Sequence, residues 1–132
     1  MGYPGRERRH PLYKSFVFAF QGIFESMKTE RNLQIHFTVA VIVVFFGFFF
    51  KLSTVEWLFV LLAIAGILTL ELLNTAVERV VDLATDQVHP LAKQAKDFAA
   101  GAVLIYAIFS VIIGLLIFVP KIIDYLDQSI SL

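Results

Sequence analysis

From Phe98 to Val119 the chain carries no charged residue. A run that long and that apolar reads as a helix crossing a bilayer, and it commits the rest of the chain to a membrane fold. Two more segments follow the same logic. Residues 33–50 form a first span, in which only Thr38 and Gly47 interrupt the strongly apolar run from Phe37 to Phe50. At about 1.5 Å per residue it crosses with little tilt. Residues 55–82 form the second span and 96–119 the third, which Pro120-Lys121 is expected to end. Lys51 to Glu56 is a short link, with Ser53-Thr54 as a helix cap. Hydrophobic residues make up 58% of the 132 positions, against about 45–50% in ordinary domains. Three spans bury little against one another, so an oligomer is expected.

The remaining composition excludes several classes. Cysteine is absent, which removes a disulfide frame, a thiolate metal site and a Cys nucleophile. Eleven basic and eleven acidic residues cancel, so net charge draws in no nucleic acid. Residues 1–11 read as a basic arm carrying Arg6, Arg8 and Arg9. Residues 12–28 read as an amphipathic helix opened by Pro11. Leu12, Phe16, Phe20, Ile23, Phe24 and Met27 share one face, and Lys14, Gln21, Glu25 and Lys28 the other. A helix lying in the membrane interface fits this pattern; a helix packed on a soluble core is the alternative. Gln21, Glu25 and Lys28 interrupt the segment and no small-residue cleavage site follows, so it is not a signal peptide. Lys and Arg concentrate in 1–31 and 79–96, which puts the N-terminus and the second turn on the cytoplasmic side of the membrane. Ala92, Ala95, Ala99 and Ala102 recur at helical spacing and favour close approach of another helix.

Chemistry is expected where the second span ends. At about 100° per residue, Glu71, Asn74, Glu78 and Asp82 fall within roughly 80° of one another. Counted from Trp57 at about 1.5 Å per residue, Glu71 lies about 21 Å in and Glu78 about 32 Å in. A charge at the depth of Glu71 costs about 2.5–3.5 kcal/mol, and intramembrane acids are seldom ornamental. Glu30 enters the first span at the interface where Glu78 leaves the second. Two carboxylates there suit magnesium, which takes its other ligands from water and substrate phosphates. Lys96, at similar depth, could meet a phosphate. Glu71 suits a general base facing an alcohol that cannot leave the bilayer. The pattern points to phosphate transfer from a nucleotide to a membrane-held alcohol. Simpler roles stay open: a solvated helix end for Glu78 and Asp82, a local ion pair for Glu30, an interhelical hydrogen bond for Asn74, a membrane anchor for Lys96-Asp97, and interfacial polar positions for His36 and His89. No GxxxxGK[ST] or GxGxxG motif is present.

Glu71-Leu-Leu-Asn74-Thr-Ala-Val-Glu78-Arg-Val-Val-Asp82, followed by Ala95-Lys96-Asp97-Phe-Ala-Ala-Gly101-Ala-Val, resembles the signature of the small prokaryotic diacylglycerol kinase family. Glu30-Arg-Asn-Leu-Gln-Ile-His36 resembles its Gram-positive branch, whose members are undecaprenol kinases. The resemblance runs from Tyr13 to Lys121. It implies an all-α homotrimer with three spans and a surface helix per subunit, and sites shared between neighbours. It implies Glu71 as the base, supported by Asn74, both against the lipid; Glu30 and Glu78 as magnesium ligands; and Lys96 and Asp97 at ATP. It extends to Lys14, Phe18, Gln87 and His89 near the nucleotide. Against the Gram-negative branch, His36 replaces a carboxylate and Phe18 a Tyr, which favours a polyprenol acceptor; diacylglycerol is the alternative. A proton-coupled transporter would need a polar path on both sides of Glu71, and Leu58 to Leu70 is apolar apart from Thr69. A non-enzymatic assembly subunit would not bind Mg-ATP.

Overall fold

The computed structural model describes residues 11–130. The arm at 1–10 lies outside them. Four helices follow one another: α1 Leu12–Thr29, α2 Arg31–Phe49, α3 Thr54–Ala84 and α4 Pro90–Ile130. Three of them, α2, α3 and α4, are long and apolar enough to cross a membrane.

Helix α3 is the element on which the others pack. It meets α4 along most of its length, α2 over a shorter stretch, and α1 near one end. Its buried side chains are Val60, Ala63, Ile67, Glu71, Asn74 and Thr75, a seam at the three- and four-residue spacing of one helix face. Helix α2 answers with Leu33, Ala40 and Gly47. Outward faces stay apolar: Phe45, Leu62 and Leu116 are 64%, 63% and 72% exposed. An apolar surface of that extent belongs in hydrocarbon or against other helices.

Small residues let the helices close. A Cβ built on Gly66 would lie 2.0 Å from the Tyr106 ring, whose hydroxyl donates to the Leu62 carbonyl at 2.8 Å. On α4, Ala92, Ala95 and Ala99 are half-buried towards the bundle, but Ala102 is exposed. The half-buried stripe runs 99, 103, 106 and 107, and 102 has rotated off it.

The α2–α3 turn is tightly specified. Lys51 adopts φ 52°, and Leu52 and Lys51 N–H donate back to the Gly47 and Phe48 carbonyls. This is a Schellman ending with Lys where Gly is usual. Gly47 leaves room for Trp57, whose ring would stand 2.7 Å from an added Cβ. Ser53 then caps α3: its side chain accepts from Glu56 N–H, and its N–H donates to Glu56 Oε2 at 2.7 Å, a complete capping box.

One expectation fails here. Pro120 does not end the last helix; α4 continues through it to Ile130. Proline removes one donor and crowds the preceding turn, but contacts beyond it hold the helix. Lys121 Nζ sits 3.1 Å from Glu56 Oε1, and Tyr125 packs edge-on against Phe49 and Phe50. Tertiary packing outweighs the local breaker.

Candidate active site

The opposite end of α3 carries the polar groups. Glu71 is 3% exposed, on the seam that buries Val60, Ala63 and Ile67 nearer the turn. Its Oε1 lies 3.2 Å from His36 Nε2 on α2. One turn on, Asn74 is 8% exposed and its Nδ2 donates to Glu78 Oε1 at 2.9 Å. That bond fixes the amide, and leaves Asn74 Oδ1 buried without a partner. A buried acceptor without a donor costs about 1–3 kcal/mol.

Glu30 is the single residue between α1 and α2. Its extended backbone, φ −101° and ψ 110°, breaks the helix, and its side chain makes no cap bond. The carbonyls at the end of α1 are taken instead by Gln34 Nε2, which donates to Met27 and Lys28. The Glu30 carboxylate is thereby released towards α3, where Arg79 donates to it at 3.1 Å and to Thr29 Oγ1 at 3.0 Å. Arg79 follows Glu78 directly, so the α1–α2 joint and the end of α3 lie at one level.

The other expected residues fall into separate groups. Lys96 pairs with Asp82, the fourth member of the α3 stripe, and Lys93 pairs with Asp97. Gln87 N–H donates to Thr85 Oγ1, and His89 Nδ1 accepts from Leu91 N–H; both bonds shape the α3–α4 connection. Lys14 is half-buried near the start of α1. Phe18 lines a cleft between α1 and α3 that also holds Ser26, Thr75 and Arg79. The residues sequence reasoning passed over are Arg79 and Thr29. The sequence favours a plain interfacial role for His36, but its spacing from the buried Leu33 and Ala40 sets it on the inner face of α2.

Below the carboxylates lies an apolar groove of about 250 Å³ between α2, α3 and α4. His36 stands in its wall, and Ala40, Ala63, Ile67 and Phe118 line it further along. A buried acid at the head of a hydrocarbon-lined groove can reach the polar end of a lipid. The carboxylates of Glu30 and Glu78 are hard oxygen donors of the kind magnesium takes. No group of three or more His, Asp or Glu gathers as a metal cage among the described residues, and a magnesium site shared with substrate phosphates uses only one or two carboxylates. The residues present therefore fit that ion.

These features define a helical membrane protein with a buried acid and amide, Glu71 and Asn74, towards one end of the α3 seam. The sequence profile of prokaryotic diacylglycerol kinase matches residues 17–118. An undecaprenol kinase of Bacillus subtilis is 54% identical over 116 residues, covering 88% of this chain and 94% of that protein. A diacylglycerol kinase of Synechocystis is 40% identical over 86% of this chain and 65% of its own length. One of Haemophilus influenzae is 31% identical over 71% and 80%. The chain belongs to the prokaryotic diacylglycerol kinase family, and is a multi-pass membrane lipid kinase.

Proposed function

We propose that the chain phosphorylates undecaprenol from ATP at the cytoplasmic face of the bacterial inner membrane. The observation that carries this reading is Glu71: a carboxylate on the buried seam, at the head of an apolar groove, one turn from an unpartnered amide oxygen. The relative of highest identity named here, 54% over nearly its whole length, is an undecaprenol kinase.

The acceptor hydroxyl would lie against Glu71, with Asn74 beside it. Glu71 takes the hydroxyl proton as the new P–O bond forms and the bond to ADP breaks. Phosphoryl transfer is mainly positioning and charge stabilisation, so the proton moves late. Glu30 and Glu78 would hold magnesium. When bound, that ion neutralises charge on the phosphate oxygens. Arg79 now offsets Glu30, and a cation arriving there would release its guanidinium towards the nucleotide. Lys96 and Asp97 would serve the nucleotide, with Lys14, Phe18, Gln87 and His89 nearby; Lys96 would first leave Asp82.

Helix α1 would lie on the membrane surface. Its apolar side chains are open, with Phe16, Phe20 and Phe24 at least 60% exposed, and only Ser26 is buried. The clustering of Lys and Arg supports a cytoplasmic N-terminus. A homotrimer would cover the apolar outer faces and bring further ligands to the metal.

Diacylglycerol is the second reading, favoured by the names of the more distant relatives. Transfer of labelled phosphate from ATP to each purified lipid decides between them. Faster turnover on undecaprenol is expected. Faster turnover on diacylglycerol overturns the acceptor, and transfer to neither overturns the proposed reaction.

A further inference from the structure

Among the described residues the Glu71 carboxylate makes one ion-pair contact, with His36, at 3.2 Å between Oε1 and Nε2. It is a close polar contact between α2 and α3. The two side chains come from different helices, with side-chain exposures of 27% for His36 and 4% for Glu71. On its other side the imidazole walls the apolar groove, together with Ala40, Ala63 and Ile67. The ring therefore stands beside the carboxylate, at the wall of the groove.

We infer that His36 is a positioning residue for Glu71: it engages Oε1 and so turns Oε2 to the acceptor hydroxyl. The inference rests on the reading of Glu71 as the base. A carboxylate in apolar surroundings with no fixed donor swings about its terminal torsion, which is broad and roughly two-fold. Misplacing a reacting group by about 1 Å can cost about 10²-fold in rate. A donor from a neighbouring helix removes that freedom. A simple tie between α2 and α3 would instead show in stability alone.

The test uses the full chain in detergent with lipid acceptor and labelled ATP. His36→Leu removes the donor; His36→Gln keeps an N–H near the Nε2 position. His36→Leu is expected to lower kcat about 10–100-fold. KM for lipid and for ATP should stay within about two-fold, since the lost interaction acts on the reacting group. His36→Gln should recover most of the rate, with the thermal midpoints of both variants close to that of the parent. In a Glu71→Gln background, His36→Leu should cost nothing more, because residues acting as a unit are non-additive. Unchanged kcat in His36→Leu overturns the inference. So does a loss confined to KM, a loss that follows thermal stability, a loss that Gln does not relieve, or one that multiplies with Glu71→Gln. Normal turnover in Glu71→Gln alone would remove the base assignment itself. A slow Glu71→Gln with a normal His36→Leu would remove only the positioning role.

Discussion

The two ends of α3 are built on opposite rules. At the α2–α3 turn every local group is spent: Ser53 and Glu56 cap each other, Glu56 meets Lys121, and Gly47 accommodates Trp57. Phe46, Phe49, Phe50, Phe118 and Tyr125 meet there in edge-on and stacked pairs. At the other end, polar groups sit on the same buried seam and are left with unused capacity. Glu71 is buried beside one imidazole, Asn74 Oδ1 has no donor, and Glu30 is balanced by an arginine that is half-exposed. One end is closed by saturation and serves stability. The other retains acceptors that cost stability and are expected to be satisfied in function.

That contrast predicts activity loss without unfolding at one end, and unfolding without a direct chemical effect towards the other. The largest effect is expected for Glu71→Gln: turnover should fall about 10²–10⁴-fold, the usual worth of a general base, with the thermal midpoint retained. Unchanged turnover would break the contrast at its acidic end. Glu78→Gln should move the magnesium titration, raising the concentration for half-maximal activity about 10–100-fold, a loss seen even for groups that only support a ligand. A titration that overlays the parent would remove Glu78 as a ligand.

Effects on stability should be smaller. Gly66→Leu drives a side chain into Tyr106 and breaks its bond to Leu62. Overpacking of this kind costs about 1–3 kcal/mol, against a helix-propensity return of about 0.8 kcal/mol. A net loss in detergent unfolding is expected, and a stabilised variant would show that the approach of α3 to α4 is loose. Glu56→Gln should change least. It loses only the charge of its pair with Lys121, and glutamine keeps the reciprocal cap with Ser53. Kinase turnover should match the parent, and an effect on turnover would tie the two ends together.

Much of this was legible in the residues. Charge-free runs define spans because unsatisfied backbone and charge are expensive in hydrocarbon. Ser53 and Glu56 announce a capping box by spacing alone. The acid stripe on α3 follows from helical period, which needs no partner. Pro120 misled because a local breaker competes with contacts to Glu56, Phe49 and Phe50 that lie some 65–75 positions away. His36 and Arg79 were under-read for the same reason, since each matters through a carboxylate on another helix.

Sequence alone therefore determined the number of crossings, the face on which the acids stand and the family, because these depend on hydrophobicity, period and motif along a single chain. Only the tertiary structure decided that His36 meets Glu71, that Arg79 reaches back to Glu30, and that Asn74 keeps an oxygen free. Each of those contacts depends on the rotation of one helix against another, and that rotation is set by where Gly47, Ala63 and Gly66 allow the backbones to close.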